Sequence, residues 1–242
     1  MSLKDFNGLK VELLNSSHIK EVQDLYEEFL IPTYVKRLGL TGLGQPNFQE
    51  ADFAEEIVNS DNLNDEKYLG VSVVVYDGDK MIACSMNYLV DEELFNKEFV
   101  DYNRRLMNDY SLKPNLRKYI QHLYEVWQGH NFFSKYELEK VLYQETIIVN
   151  PKYRHHGLSG FLMNYTKDLC QSKCDGVLSD SQIPLPLYQK IVERDPNARS
   201  PIADALILRS VLSYDGFVVS VTLFIYDAND GRKSRQNLQS KL

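Results

Sequence analysis

Apolar side chains recur along this chain in two rhythms, and the points where one gives way to the other predict its elements. Residues 9–14, LKVELL, alternate well enough for a first strand. NSSHIKEVQDLYEEFL then sets Ile19, Val22, Leu25 and Phe29 on one helical face, with Ser17 as the expected N-cap. Pro32 and the glycines of GLTGLGQP interrupt the pattern as a loop, and QEADFAEEIVNS resumes it as a short second helix. Residues 71–90, VSVVVYDGDKMIACSMNYLV, predict a hairpin: two apolar runs flank DGD, whose glycine suits a positive φ.

From 91 to 140 the rhythm becomes helical. Phe95, Phe99, Tyr102 and Leu106 share one face, and Leu116, Ile120, Leu123 and Trp127 repeat the spacing beyond Pro114. A third short helix is expected at SKYELEKV. This periodicity assigns the aromatics to a core before any binding role. LYQETIIV (142–149) predicts a strand, and HGLSGFLMNYTKDLCQSK a helix with Leu158, Phe161, Leu162, Tyr165 and Leu169 inward. DGVLSDS reads as a strand and PLYQKIVER as a helix. PIADALILRSVLSYDGF is expected to be helical, with Pro201 in its first turn and Gly216 as its stop. VVSVTLFIYD (218–227) predicts a last strand, and 228–242 a polar tail. The order is β-α-α-β-β, a helical insertion at 91–140, then β-α-β-α-β. That order predicts an α/β mixed sheet with helices on its faces, in one domain spanning 1–242.

Composition narrows the partners. A formal net charge of -7 argues against nucleic acid as the main ligand, because phosphate favours a basic footprint. The opening residues MSLKDFNGLK lack the apolar run of a signal peptide, and no stretch reaches the roughly 20 apolar residues of a membrane span. The cysteines, Cys84, Cys170 and Cys174, form neither a CxxC nor a zinc set, so reduced thiols, a cytoplasmic protein and no metal are expected.

The chemistry concentrates in NPKYRHHGLSGFL, residues 150–162. A strand that enters a helix through a glycine-containing turn leaves several backbone N–H groups without intrahelical acceptors. The helix dipole adds positive potential there, which suits phosphate. Gly157 permits close approach or unusual φ and ψ. Arg154 adds a charged donor, and His155 and His156 can donate as well. The two histidines do not make a metal site, since neighbours on a helix point about 100° apart and no third ligand is evident. On these grounds alone a pyrophosphate site and a plain glycine-containing helix start both stand.

The stretch IIVNPKYRHHGLSGFLM resembles the cofactor-binding motif of the GNAT superfamily of N-acetyltransferases: a strand, V-x-P-x-Y-R/Q-x-x-G-x-G/A, then a helix. Arg154, Gly157 and Ser159 hold its signature positions, with Ser159 in place of the usual Gly or Ala. FFSKYELEKVLYQETIIV and the YDGF…IYDANDG ending look like animal arylalkylamine N-acyltransferases. The resemblance implies a GNAT acyl-CoA N-acyltransferase fold with the insertion between the hairpin and the motif strand. It implies an acyl group passed from acetyl-CoA, or another acyl-CoA, to a small primary amine by direct attack. Exposed strand edges allow a monomer or a homodimer, and with no apolar span no membrane partner is expected. A protein or peptide acceptor, or a CoA-binding module without catalysis, are the alternatives.

By the same resemblance the main-chain N–H groups from Arg154 through His155, His156, Gly157, Leu158 and Ser159 to Gly160 would hold the CoA pyrophosphate, and Ile148 and Val149 would pair with the pantetheine amides. Direct attack needs a proton acceptor for the amine and an acid for the thiolate. Glu145, on the motif strand, is the candidate base. Tyr214 and Tyr188 are candidate acids, with Ser181, Ser210 and Ser213 weaker ones. His122, on the aromatic helix, is the other titratable candidate. The acid that insect members place after the first helix is missing from FLIPTYVKRLGL; Glu27 and Glu28 lie within the predicted helix instead. Tyr34, Trp127, Phe132 and Phe133 would line the amine pocket.

Overall fold

The computed structural model describes residues 2–32, 66–112, 114–194, 205–212 and 216–226. The chain forms two compact units, Met1–Tyr88 with Gln144–Thr166, and Leu89–Tyr143 with Lys167–Leu242.

The first unit is built on antiparallel neighbours β1 (Ser2–Phe6), β2 (Leu9–Leu13), β3 (Val73–Asp77) and β4 (Lys80–Val90), with β5 (Val141–Val149) following β4 in strand order. β1 is absent from the sequence reading, although its turn is written in the chain. Asn7 and Gly8 both take positive φ, 53° and 82°, the conformation that an Asn-Gly pair adopts in a two-residue hairpin. The predicted 71–90 hairpin is present, with Gly78 at φ 58° in its turn. α1 (Ile19–Leu25) buries Ile19, Val22 and Leu25 as its spacing predicts. Its cap differs from expectation: Asn15 Oδ1 accepts from the N–H of Ser17 at 2.9 Å, so Ser17 lies inside a 3-10 turn, Ser16–His18, that leads into the helix. Beyond Leu25 the helix loosens into a π turn, Tyr26–Leu30. The second predicted helix, QEADFAEEIVNS, lies outside the described residues.

The second unit holds the helical insertion: α2 (Glu92–Phe95), a π turn (Asn96–Asp101), α3 (Tyr102–Met107), α4 (Pro114–Trp127) and α5 (Phe132–Tyr136). Asp91 caps α2 by accepting from Leu94 N–H at 2.9 Å. α5 stops short of the predicted SKYELEKV because Glu137 turns left-handed at φ 56°. Phe95, Phe99, Trp127 and Phe132 meet edge-on or stacked, with Phe99–Trp127 centroids 4.8 Å apart and Phe95–Phe132 centroids 5.0 Å apart, as the helical spacing requires. α4 packs on β7 (Leu206–Leu212) and β8 (Phe217–Ile225).

β6 (Gly176–Pro184) pairs antiparallel with β8, and β8 with β7. The expected helix over 201–217 is therefore corrected: residues 206–212 are a strand. LILRSVL is a nearly continuous apolar run, which fits either period, and pairing with β8 decides it. Gly216 is no helix stop; at φ 73° it precedes β8, and its carbonyl accepts from Leu185 N–H at 2.7 Å. Gly176 sits where a Cβ would lie 2.3 Å from the Phe224 carbonyl oxygen. Beside it Asp175 acts as a clasp. Its Oδ2 accepts from Glu139 and Lys140 N–H at 2.6 and 3.0 Å, its own N–H donates to Lys140 at 2.8 Å, and its carbonyl accepts from Tyr226 at 2.9 Å. No helix among the described residues is long and apolar enough to cross a membrane.

Candidate active site

The turn after β5 is fixed by its own sequence. Asn150 Oδ1 accepts from Lys152 N–H at 3.0 Å and opens a 3-10 turn, Pro151–Tyr153, where proline's fixed φ and missing N–H suit the first position. Tyr153 N–H donates to Asn150 at 2.8 Å and Arg154 N–H to Pro151 at 3.3 Å. The chain then turns left-handed at His155, φ 69°, and at Gly157, φ 81°. α6 (Leu158–Leu169) starts there, its first turn closed by Phe161 N–H on the Gly157 carbonyl at 2.9 Å.

Three features suit this turn to an anion. The N–H groups of Leu158, Ser159 and Gly160 precede any intrahelical acceptor. Arg154, His155, His156, Gly157, Ser159 and Gly160 are exposed, while buried Leu158 anchors the helix. A Cβ added at Gly157 or Gly160 would meet nothing within 4 Å, so the backbone is open to close approach. The expected run of donors from Arg154 onward starts later, because the Arg154 N–H is used inside the turn. Arg154 Nε donates to the Val149 carbonyl at 3.0 Å and leaves its terminal nitrogens for a ligand. The turn is tethered from behind by Tyr153, whose hydroxyl donates to Asp77 Oδ2 at 2.6 Å, and by Asn150 N–H on the Ile82 carbonyl at 2.9 Å.

Ile148 and Val149 are buried at the end of β5, and Glu145 is half-buried in its middle. Burial pushes the Tyr26 phenol well above its usual range; the Glu145 charge pushes the same way, and a hydrogen bond with the Thr146 side chain partly opposes it. Tyr188 is half-buried on α7 (Leu185–Arg194), in the other unit from Glu145. Tyr214, Ser213 and Tyr34 lie outside the described residues. Glu27 and Glu28 are exposed on the π turn. His122 Nδ1 lies 3.7 Å from Glu125 Oε2. Ser181 is half-buried, and the Ser210 hydroxyl pairs with Ser220 at 2.7 Å. Trp127, Phe132 and Phe133 are buried in the aromatic core. Burial pushes Cys84 and Cys170 up to about 12 and Cys174 up to about 11, so all three remain thiols. Among the described residues no group of three His, Cys, Asp or Glu could hold a metal ion.

Two arrangements were missed by sequence reasoning. One is Tyr26, at the start of the π turn, beside Thr146 and Glu145. The other is Tyr143 on β5, whose hydroxyl donates to Asp180 Oδ1 on β6 at 2.5 Å. Burial pushes the Asp180 carboxyl up, and the Tyr143 bond offsets that only in part. An acid in the middle of the strand GVLSDSQI is the available signal for Asp180. The partnership of Tyr143 and Asp180 spans 37 residues and left none.

Neither the family models nor the curated protein sequences match this chain. Solved structures do. Arylalkylamine N-acetyltransferase 2 from Aedes aegypti superposes with a TM-score of 0.65 at 15% identity, over 90% of this chain and 99% of that one. The Drosophila melanogaster polyamine N-acetyltransferase that forms N-acetylagmatine gives 0.61 at 12% identity, and the mosquito arylalkylamine N-acetyltransferase-like protein 5b gives 0.60 at 12%, with the same coverages. At this identity the likeness is one of fold, and it bears out the resemblance read from the motif. The chain has the mixed α/β fold of the GNAT N-acetyltransferases, insect arylalkylamine enzymes among them.

Proposed function

We propose that this protein is an acyl-CoA-dependent N-acyltransferase whose acceptor is a small primary amine. The observation that carries the reading is the turn after β5: left-handed His155 and Gly157, free first-turn N–H groups, and open space at Gly157 and Gly160. Such a cradle suits a pyrophosphate, and the fold shared with arylalkylamine and polyamine N-acetyltransferases supports acyl-CoA as the ligand that brings it. In this reading residues 1–242 form one catalytic domain. The N–H groups of His155 through Gly160 and the terminal nitrogens of Arg154 hold the diphosphate, and the β5 backbone at Ile148 and Val149 guides the pantetheine arm. Glu145 takes the proton that the nitrogen sheds as the C–N bond forms and the C–S bond breaks. Tyr188 or Tyr214 returns a proton to the leaving sulfur. The test is calorimetric titration with CoA, then thiol release from acetyl-CoA with a panel of amines. Binding at micromolar ligand with turnover on a small amine supports the reading. No binding at near-millimolar CoA overturns it.

A further inference from the structure

Two buried tyrosines of the first unit hold a cation. Tyr68, on a 3-10 turn (Glu66–Tyr68), and Tyr88, near the end of β4, meet edge to face with ring centroids 5.6 Å apart. The Lys67 ammonium lies 4.2 Å over the Tyr88 ring and 5.2 Å over the Tyr68 ring. Both distances fall within the roughly 6 Å over which a ring face attracts positive charge. Lys67 is half-buried and reaches this place on a flexible four-carbon stem. With its own side chain, the protein shows that this ring pair accepts an alkylammonium.

The position of the pair along the sheet gives it a use. Asn150 N–H, at the start of the turn after β5, donates to the Ile82 carbonyl at 2.9 Å, and the Cys84 thiol bonds the Ile148 backbone. The two bonds show β4 and β5, neighbours in the sheet, running in opposite directions. Counting onward from them brings Tyr88 level with Gln144, beside Glu145. From Ile82 to Tyr88 the strand advances about 20 Å. That is comparable to the reach of an extended pantetheine arm, from a diphosphate held at the turn to the thioester sulfur. The buried Tyr26 phenol couples the two places: it bonds the Thr146 side chain and interacts electrostatically with both Glu145 and Tyr68.

We propose that Tyr68 and Tyr88 form a seat for the second positive charge of a diamine acceptor, and that Lys67 fills this seat until the acceptor displaces it. A ring face favours the protonated form of an amine, whereas the nitrogen that attacks a thioester must be unprotonated. The seated group is therefore not the reacting one. It keeps its protons while the amine at the other end of the acceptor faces Glu145, forms the C–N bond as the C–S bond breaks, and gives its proton to that carboxylate. Lys67 acts as a built-in competitor, displaced by a cation of matching reach. This rests on the acyltransferase reading and names its acceptor class.

The experiment uses the full chain and two acceptors of equal length, 1,4-diaminobutane and n-pentylamine, which differ in the second ammonium. Thiol release from acetyl-CoA gives kcat and KM for the wild type and for Lys67→Gln, Tyr88→Phe and Tyr88→Leu, and calorimetry gives CoA affinity for each. The wild type should prefer diaminobutane by about tenfold in kcat/KM, the size of one cation–ring contact shielded from water. Lys67→Gln should lower the diaminobutane KM about threefold or more, because a seat that fills itself weakens apparent affinity by the fraction of time it stands open. Tyr88→Phe keeps the ring face and should keep the preference, and Tyr88→Leu should abolish it at unchanged CoA affinity. No preference in an active wild type, or a diaminobutane KM that Lys67→Gln leaves unchanged or raises, overturns the seat and leaves the acyltransferase standing. Neither result depends on how well Tyr88→Leu folds. Absence of CoA binding at near-millimolar ligand overturns both.

Discussion

The turn at 150–160 and the Tyr143–Asp180 pair are built in opposite ways. The turn works with backbone: exposed N–H groups, two left-handed residues, and glycines where a Cβ would meet nothing. The pair works with side chains held by packing: a buried phenol, a half-buried carboxylate and a hydrocarbon backing. The first depends on backbone conformation and the second on the dielectric that packing creates around titratable groups.

The contrast can be broken at either end. The largest effect belongs to the packed end. Trp127→Ala removes a ring in contact with Phe95, Phe99 and Tyr143, and should cost about 3–5 kcal/mol in a urea melt. A smaller loss would mean that the aromatic core is looser than its edge-on contacts imply. Next, Gly160→Ala should weaken CoA at least tenfold, or about 1.4 kcal/mol, without loss of stability, because an added Cβ meets nothing within 4 Å. Equal CoA affinity would show that no ligand approaches there. Gly157→Ala adds strain to the fold itself: at φ 81° a Cβ costs about 1–2 kcal/mol, visible as a lower urea midpoint before any ligand is added. Tyr153→Phe deletes the bond to Asp77 and should cost about 0.5–1.5 kcal/mol in the same assay.

The smallest effect is a slope. Asp180 binds its proton more tightly folded than unfolded. The neutral acid therefore favours the fold at low pH, and that contribution fades as pH rises from the unfolded value of about 3.9 through the higher folded one. Asp180→Asn should flatten this limb and raise the melting temperature at neutral pH, since Asn can still accept from Tyr143. A variant less stable than wild type at pH 7 would mean that the ionised carboxylate is stabilised by something other than Tyr143.

The sequence makes the first end legible and the second not, and the reason is range. The residues that shape the turn itself, from Asn150 to Phe161, are twelve consecutive positions, so glycine spacing and the proline announce it, while its tethers to Asp77 and Ile82 leave no such mark. The helical spacing of Phe95, Phe99 and Trp127 likewise announces a core. Tyr143 and Asp180 meet because two strands far apart in sequence bring them together, and one sequence holds no trace of that pairing. The same limit explains β7. Its apolar run suits a helix by itself, and β8 overrules that preference. β1 is different, because Asn7-Gly8 is a local signal for the turn that follows it.

The Asp175 clasp has a consequence for synthesis. It joins residues 139 and 140 to Tyr226, and β6 needs β8 from residue 217 onward. The residues of the first unit end at Thr166. A nascent chain can therefore hold every residue of its first unit some sixty residues before Tyr226, which the clasp needs, is translated. Trp127 lies on α4, which is made earlier and must wait for β7 and β8 to pack against. For that interval the growing polypeptide carries an unfinished aromatic cluster, the kind of surface that chaperones hold.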